Sequence, residues 1–372
     1  MNGGEYSFVW QRPDWPNWQF DLTRVAVPLA AVSRAQGELF GRLADVGLAL
    51  RDQAALSALT EDVVQTSAIE GESLNAQSVR SSVARRLGVD IGALAPADRQ
   101  VDGLVDMVLD ATGASQAPLT AERLRGWHAA LFPTGFSGLH QIEVGCWRSD
   151  AEGPMQVVSG PHQRQRVHFE APPAARLDAE MQRFLAWANA DTGEPLLLKS
   201  GLAHLWFVTI HPFDDGNGRI ARALGDLFLT RADGHAPRFY SLSAEIQRQR
   251  AAYYAVLERT QRGGLEVTEW LLWFLDTLGS AVLAAQQGLD AVLHKARFWR
   301  HWSGTPMNAR QIKLLNRLLD GYEGKLTSGR WARMADCSSD TALRDISELM
   351  RMGVLQPMPG GGRSAGYELA PV

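Results

Sequence analysis

The sequence predicts a mainly α-helical fold: a helical N-terminal extension, a larger helical core interrupted by one short β-hairpin, and a small C-terminal winged helix. Three observations predict it. Apolar residues recur every three or four positions over most of the chain, as helices with one buried face require. Alternating, β-type runs are short and confined to residues 156–169 and 354–369. A length of 372 residues with 45% apolar content suffices for two or three domains with cores of their own. The expected divisions are residues 1–110, 111–290 and 291–372.

The first segment, residues 6–21, sets Trp10, Trp15 and Trp18 around Pro13 and Pro16. Prolines keep such a stretch extended. Three indoles need a place to bury, so a clamp folded back on the core is expected rather than a peptide-binding surface. Over residues 25–58, Leu39, Phe40, Leu43, Val46, Leu48 and Leu50 mark one or two amphipathic helices, and a further helix covers 59–69. That helix ends in Thr66-Ser-Ala-Ile-Glu70-Gly71, with Gly71 suited to the left-handed position past a helix end. Helices are expected over 76–87, 101–111 and 121–132, then a loop-like stretch over 136–148.

Residues 156–159 and 166–169 flank a Gly160-Pro161 turn and read as a hairpin. Its His162, His168, Arg164 and Arg166 have no carboxylate or cysteine beside them to complete a ligand set, so a solvated hairpin is expected rather than a metal or anion site. Helices cover 196–210 and 220–229, and Ser241 starts another that runs toward Tyr253 and Gln261. Residues 270–278 and 281–293 read as further buried helices. Beyond 308, helices at 311–319, from 331, and at 338–350 precede strands at 354–355 and 366–369 about a Gly-rich turn at 360–362, the order of a winged helix.

The net charge of −4 conceals an asymmetry. Residues 291–372 hold twelve Lys/Arg and seven Asp/Glu and so carry +5, leaving −9 for the rest. Only this tail has a charge that favours nucleic acid. Yet the expected recognition helix offers Arg344 beside Asp340, Asp345 and Glu348, and much of the excess lies upstream in Lys295, Arg297, Arg300, Arg310, Lys313 and Arg317. Target recognition or self-association as a homodimer is therefore expected over DNA binding. Cys146 and Cys337 lie far apart with no ligand-spaced neighbours, against a disulfide framework or structural zinc. No apolar run reaches about eighteen residues, and the first residues lack a basic stretch followed by an apolar core. A cytoplasmic protein with no membrane partner is expected.

Chemistry concentrates in His211-Pro-Phe-Asp-Asp-Gly-Asn-Gly-Arg-Ile-Ala-Arg222. A helix precedes it and a helix follows, so the stretch is a loop feeding a helix N-terminus, where unpaired N–H groups and the helix dipole hold anions. Gly216 and Gly218 allow close approach to phosphate. Arg219 and Arg222, three apart, share one helix face and suit a di- or triphosphate. Each part alone has a plain structural reading: a helix-ending His-Pro, a Gly-Asn turn, a solvated arginine face. Their combination in this order specifies a nucleotide site beside a base.

These twelve residues match the HPFxxGNGRxxR motif of the Fic family at every defining position, and the chain resembles that family beyond the motif. The resemblance implies a Fic-type helical core that transfers AMP from ATP to a Ser, Thr or Tyr hydroxyl of a target protein. It implies His211 as general base, Asp215 as the Mg²⁺ ligand, Asn217 and Arg219 at the α- and β-phosphates, and Arg222 at the γ-phosphate. Residues 66–71 resemble the family's inhibitory motif, a Ser or Thr, three residues, Glu, then Gly or Asn, with Thr66 opening it. Glu70 would take Arg222 in a bidentate pair and keep it from the γ-phosphate. The first segment looks like an N-terminal extension found on one bacterial branch of the family. The hairpin at 155–170 sits where Fic proteins carry a flap that clamps the target's extended segment by strand addition. Tyr253 matches the tyrosine that borders adenine in many members, whereas Gln261 stands where Asn is common. Three rivals are carried: removal of AMP with Glu70 orienting water, transfer of another group, and a DNA-binding regulator with a nucleotide-sensing shell. The intact His211 argues against a pure sensor, because holding phosphate requires no base.

Overall fold

A computed structural model describes residues 6–44, 46–92, 95–96, 99–151, 153–160, 165–234, 237–319, 322, 324–358 and 366–371. Among them, fourteen α-helices and three separate two-stranded antiparallel sheets form two compact units, Met1–Ala285 and Gln286–Val372.

The first unit opens with the clamp. Trp10 Nε1 donates to the Glu170 carbonyl at 2.7 Å and Trp15 Nε1 to the buried Glu180 carboxylate at 2.9 Å. Gln19 then pairs with the backbone of Leu265 and Val267, both at 2.8 Å, so the Trp-Pro segment folds back on the core as its indoles require. Helix α1 spans Leu22–Ala44 and α2 Leu48–Ile69. Residues 48–58 and 59–69 are thus one helix where a break was expected, and no Gly or Pro lies within α2 to cause one. Helices α3 (Ala76–Leu87), α4 (Arg99–Gly113) and α5 (Ala121–Leu131) follow; Asn75 and Thr120 cap α3 and α5 with their side chains.

The stretch expected as loop contains a small hairpin, β1 (Phe136–Ser137) and β2 (His140–Gln141), turned through Gly138 at φ +57°. The larger hairpin pairs β3 (Gln156–Ser159) with β4 (Arg166–Glu170), with a register shift between Val157 and Val158. The turn bearing His162 and Arg164 lies outside the described residues. Sequence reading passed over α6 (Leu177–Asn189), although its buried residues Leu177, Met181, Phe184 and Ala188 have helical spacing.

Helices α7 (Leu196–Ile210) and α8 (Asn217–Asp233) pack against each other at the centre. Every residue from Leu197 to Ile210 is buried, as a helix apolar on all sides must be. Among its polar residues, Ser200 Oγ donates to the Gly225 carbonyl of α8 at 2.8 Å and Thr209 Oγ1 to the Leu205 carbonyl at 2.7 Å. Helices α9 (Leu242–Arg248) and α10 (Arg250–Gln261) break at Gln249, where one continuous helix was expected. Conversely, α11 runs unbroken from Thr268 to His301 through Gly279, where two were expected. A glycine inside a helix costs only about 1 kcal/mol, too little to interrupt it.

In the second unit, α12 (Ala309–Leu319), α13 (Ser328–Ala335) and α14 (Ser339–Arg351) precede an antiparallel pair, β5 (Leu355–Pro357) and β6 (Tyr367–Leu369). Phe298, Leu315, Trp331, Ile346 and Leu349 are in its core. The Gly-rich turn at 360–362 lies outside the described residues. The carboxylates expected to repel a phosphate backbone are mostly engaged within the unit. Asp345 is buried and accepts from Asn308 and Arg310, and Glu348 accepts from Gln311 at 2.9 Å. Two of the three carboxylates taken as repelling phosphate therefore tie α14 to α12, and Arg310 is neutralised in the same contact.

Candidate active site

Helix α7 ends at His211, whose φ of 54° and ψ of 58° are left-handed, and Pro212 prevents the helix from continuing. The loop that follows is fixed from three sides. Phe213 is buried and stacks on His128 at 4.2 Å between centroids. Arg148, itself buried, donates through its backbone N–H to the Pro212 carbonyl at 2.9 Å and through Nε to the His211 carbonyl at 2.8 Å. Asn217 closes the loop on itself, accepting from Phe213 N–H at 3.0 Å and donating to the Phe213 carbonyl at 2.7 Å. Its side chain thus braces the loop from which α8 starts.

His211 Nδ1 lies 3.1 Å from the Val208 carbonyl, so Nδ1 carries the proton and Nε2 is left as an acceptor. Burial pushes the ring's pKa down to about 4, opposed by the Val208 hydrogen bond and reinforced by Arg148. The ring is neutral at pH 7, the form a base must have.

Helix α8 starts from Gly216 at φ +77°, where a methyl group would also come within 2.9 Å of the Phe132 ring. The first backbone bond of this helix comes from Ile220 N–H to the Gly216 carbonyl, so the N–H groups of residues 217–219 are free for an anion. Arg219 and Arg222 lie buried on this helix. Arg222 donates from Nε to Thr66 Oγ1 at 2.7 Å, and from Nη2 to the Thr66 carbonyl at 2.9 Å and Glu70 Oε1 at 2.7 Å. The expected bidentate pair is therefore a single Arg–Glu bond, because Thr66, one turn earlier on α2, takes the other side of the fork. A methyl group at Gly218 would overlap Glu70 Oε1, so the carboxylate stands at the mouth of the helix. Arg219 donates from Nη1 to Glu72 at 2.9 Å, a residue that sequence reading missed. Arg219 Nε and Arg222 Nη1 are buried without a partner.

Asp215 accepts from Ser137 Oγ of β1 and from Gly216 N–H at 2.6 Å. Among the described residues no three His, Cys, Asp or Glu side chains gather as a metal site. One carboxylate beside a phosphate site is nonetheless the donor set Mg²⁺ takes, completing its shell with phosphate oxygens and water. A cavity of about 640 Å³ joins Glu70, His211, Gly216, Gly218, Tyr253 and Gln261. The Tyr253 hydroxyl pairs with His204 at 2.9 Å, and Gln261 Nε2 donates to Thr209 Oγ1 at 3.3 Å. The larger hairpin is tied to α10 through Glu258, which receives Arg166 and His168, each at 2.7 Å. Arg148, His128, Glu72 and Glu258 had no sequence signal of their own; only the fold brings them to the motif.

The fold and this loop define a helical protein built around a Fic-type core. Residues 118–229 match the Fic/DOC family, and residues 8–89 match a domain of unknown function, DUF4172. Residues 118–229 are thus a Fic/DOC-family domain, and the fold is that of solved Fic-family structures. The chain is similar to "Protein adenylyltransferase Fic" of Drosophila ananassae, 29% identical over 211 residues, covering 55% of this chain and 37% of that one. The Drosophila willistoni protein of the same name is 34% identical over 114 residues, covering 29% and 22%. The chain thus spans well under half the length of these curated relatives. Two solved structures share the fold. A Fic family protein from Desulfovibrio desulfuricans has a TM-score of 0.51 at 21% identity over 93% of this chain and 96% of that one. A Fic domain containing signaling protein from Bacteroides thetaiotaomicron gives 0.52 at 20% identity over 72% and 98%. No helix among the described residues is long and apolar enough to cross a membrane.

Proposed function

We propose that the protein transfers AMP from Mg-ATP to a Ser, Thr or Tyr hydroxyl of a target protein in the cytoplasm, and that Glu70 holds it inactive. The observation that carries this is a neutral His211, Nε2 free, beside a helix N-terminus with two buried arginines that each keep an unused donor. Holding phosphate explains the arginines; it does not explain the base.

In this reading the N–H groups of residues 217–219 and Arg219 fix the α- and β-phosphates, and Arg222 receives the γ-phosphate once Glu70 has moved. His211 Nε2 takes the proton from the target hydroxyl. The oxygen attacks the α-phosphorus, the bond from that phosphorus to the bridging oxygen breaks, and pyrophosphate leaves. Asp215 would hold Mg²⁺, whose charge offsets that of the polyphosphate. Tyr253 and Gln261 border the space for the base. Val157 and Val158 of β3 are exposed at the cavity, and the target segment adds alongside this hairpin as a strand. We read the second unit as a winged helix.

Incubating the Glu70→Gly protein with labelled ATP and lysate, followed by mass spectrometry, is expected to place a nucleotide mass on a hydroxyl residue. A label found only on a phosphate acceptor, or none at all, would count against the reading. The same variant has a defined pH profile. A depressed His211 pKa leaves the base unprotonated at every pH above about 4, so the free-enzyme kcat/KM is expected to stay flat from about pH 8 down to pH 5.5 and fall below. A fall centred near the ordinary histidine value of ~6.5 would mean that another group is the base.

A further inference from the structure

Helix α2 ends in a turn that presents two carboxylates. Glu70 caps the helix at φ −83° and ψ 0°, Gly71 takes φ +87°, and Glu72 N–H reaches back to the Ser67 carbonyl at 3.0 Å. This six-to-one bond over a left-handed residue reverses the chain. On a continuing helix, residues two apart would point about 200° away from each other. Because the chain turns at Gly71, both meet α8, where their partners Arg222 and Arg219 are three apart on one face.

We propose that Glu72 is a second inhibitory carboxylate, holding Arg219 from the α- and β-phosphates independently of Glu70's hold on Arg222. The inference rests on the adenylyl-transfer reading of the same site. Arg219 Nη1 lies 2.9 Å from Glu72 Oε2; the arginine side chain is 2% exposed and the glutamate 35%. Phe132 lies 5.0 Å from the guanidinium, so the arginine is held by packing and the more exposed glutamate is the partner able to withdraw. Arg219 Nε, buried without a partner, is a donor that a phosphate oxygen would satisfy and that Glu72 does not. Any nucleotide with a diphosphate must displace Glu72. Only one with a third phosphate must also displace Glu70 from Arg222. Glu70 also stands over Gly218, so a diphosphate meets it there, but only the third phosphate adds the demand on Arg222; the number of phosphates therefore weights the two carboxylates differently.

The test is calorimetric titration of ADP and ATP into the full chain as parent, Glu72→Gln, Glu70→Gly and the double variant. Glutamine keeps the shape and an acceptor oxygen but removes the charge. Glu72→Gln is expected to tighten ADP and ATP by the same factor, roughly 3- to 10-fold, and the gain is expected to shrink at high ionic strength because Glu72 is partly exposed. Glu70→Gly is expected to tighten ATP more than ADP. If Glu72→Gln leaves ADP affinity at the parental value while Glu70→Gly still tightens ATP, the second carboxylate is overturned and the adenylyl-transfer reading stands. A gain for ATP alone in Glu72→Gln would overturn it too, since Glu72 would then be acting at Arg222. No change in any variant would overturn both.

Discussion

Replacing His211 by alanine is expected to remove adenylyl transfer while leaving ATP binding near that of its parent. The phosphate-holding groups belong to α8, and the loop between is fixed by Asn217 and Arg148 rather than by the imidazole. What the ring supplies is Nε2: burial keeps the ring neutral, and the bond from Nδ1 to the Val208 carbonyl holds its one proton on the other nitrogen. Loss of a positioned base costs roughly 10²- to 10⁴-fold in rate. The measurement is transfer of labelled AMP in the Glu70→Gly background, with ATP affinity measured in parallel. One structural effect must be separated from the chemical one, because residue 211 sits in the left-handed region at φ 54°. Asparagine adopts that conformation readily. His211→Asn should therefore keep the loop and lose the rate just as His211→Ala does. Transfer at the parental rate in either variant would remove His211 from the mechanism.

How much of this was legible beforehand depends on how local the signal is. The loop and the two arginines of α8 are read from one continuous stretch, so their placement follows from spacing alone. The helix end at Gly71 was legible for the same reason, since a cap acts over a few residues. The misread elements are those decided by tertiary packing. Residues 268–301 stay helical through Gly279, and residues 242–261 bend at Gln249, which no Gly or Pro marks. The site shows the same division. The Asn217 amide bonds the Phe213 backbone four residues back, within the motif itself. Arg148 and Glu72 were invisible as site residues, because each meets the motif across 63 or more positions of sequence.

Substituting Glu70 with glycine is expected to raise transfer and self-labelling roughly 10- to 100-fold, the range that about 1.4 to 2.8 kcal/mol of a desolvated charge-assisted bond represents. Glu70 Oε1 occupies both Arg222 Nη2 and the space over Gly218, so one side chain blocks an arginine and the helix mouth together. Glycine at 70 leaves the helix end intact, because that end is formed by backbone bonds from residues 70–72 to the carbonyls of Ser67 and Ala68. Stability is expected to move the opposite way. Arg222 keeps Thr66 but loses its counter-charge while buried, and leaving such a donor unpaired costs roughly 1 to 3 kcal/mol. Thermal unfolding should therefore show a lower midpoint for Glu70→Gly than for the parent, recovered by ATP, whose γ-phosphate pairs the arginine again. The double variant Glu70→Gly with Arg222→Ala completes the argument, since it frees the helix mouth but removes the group that makes the freedom useful. It is expected to lose the gain in transfer and the recovery by ATP together. Were Glu70→Gly no more active than the parent toward itself or several candidate targets, the contact between α2 and α8 would be structural and the inhibitory reading would fall.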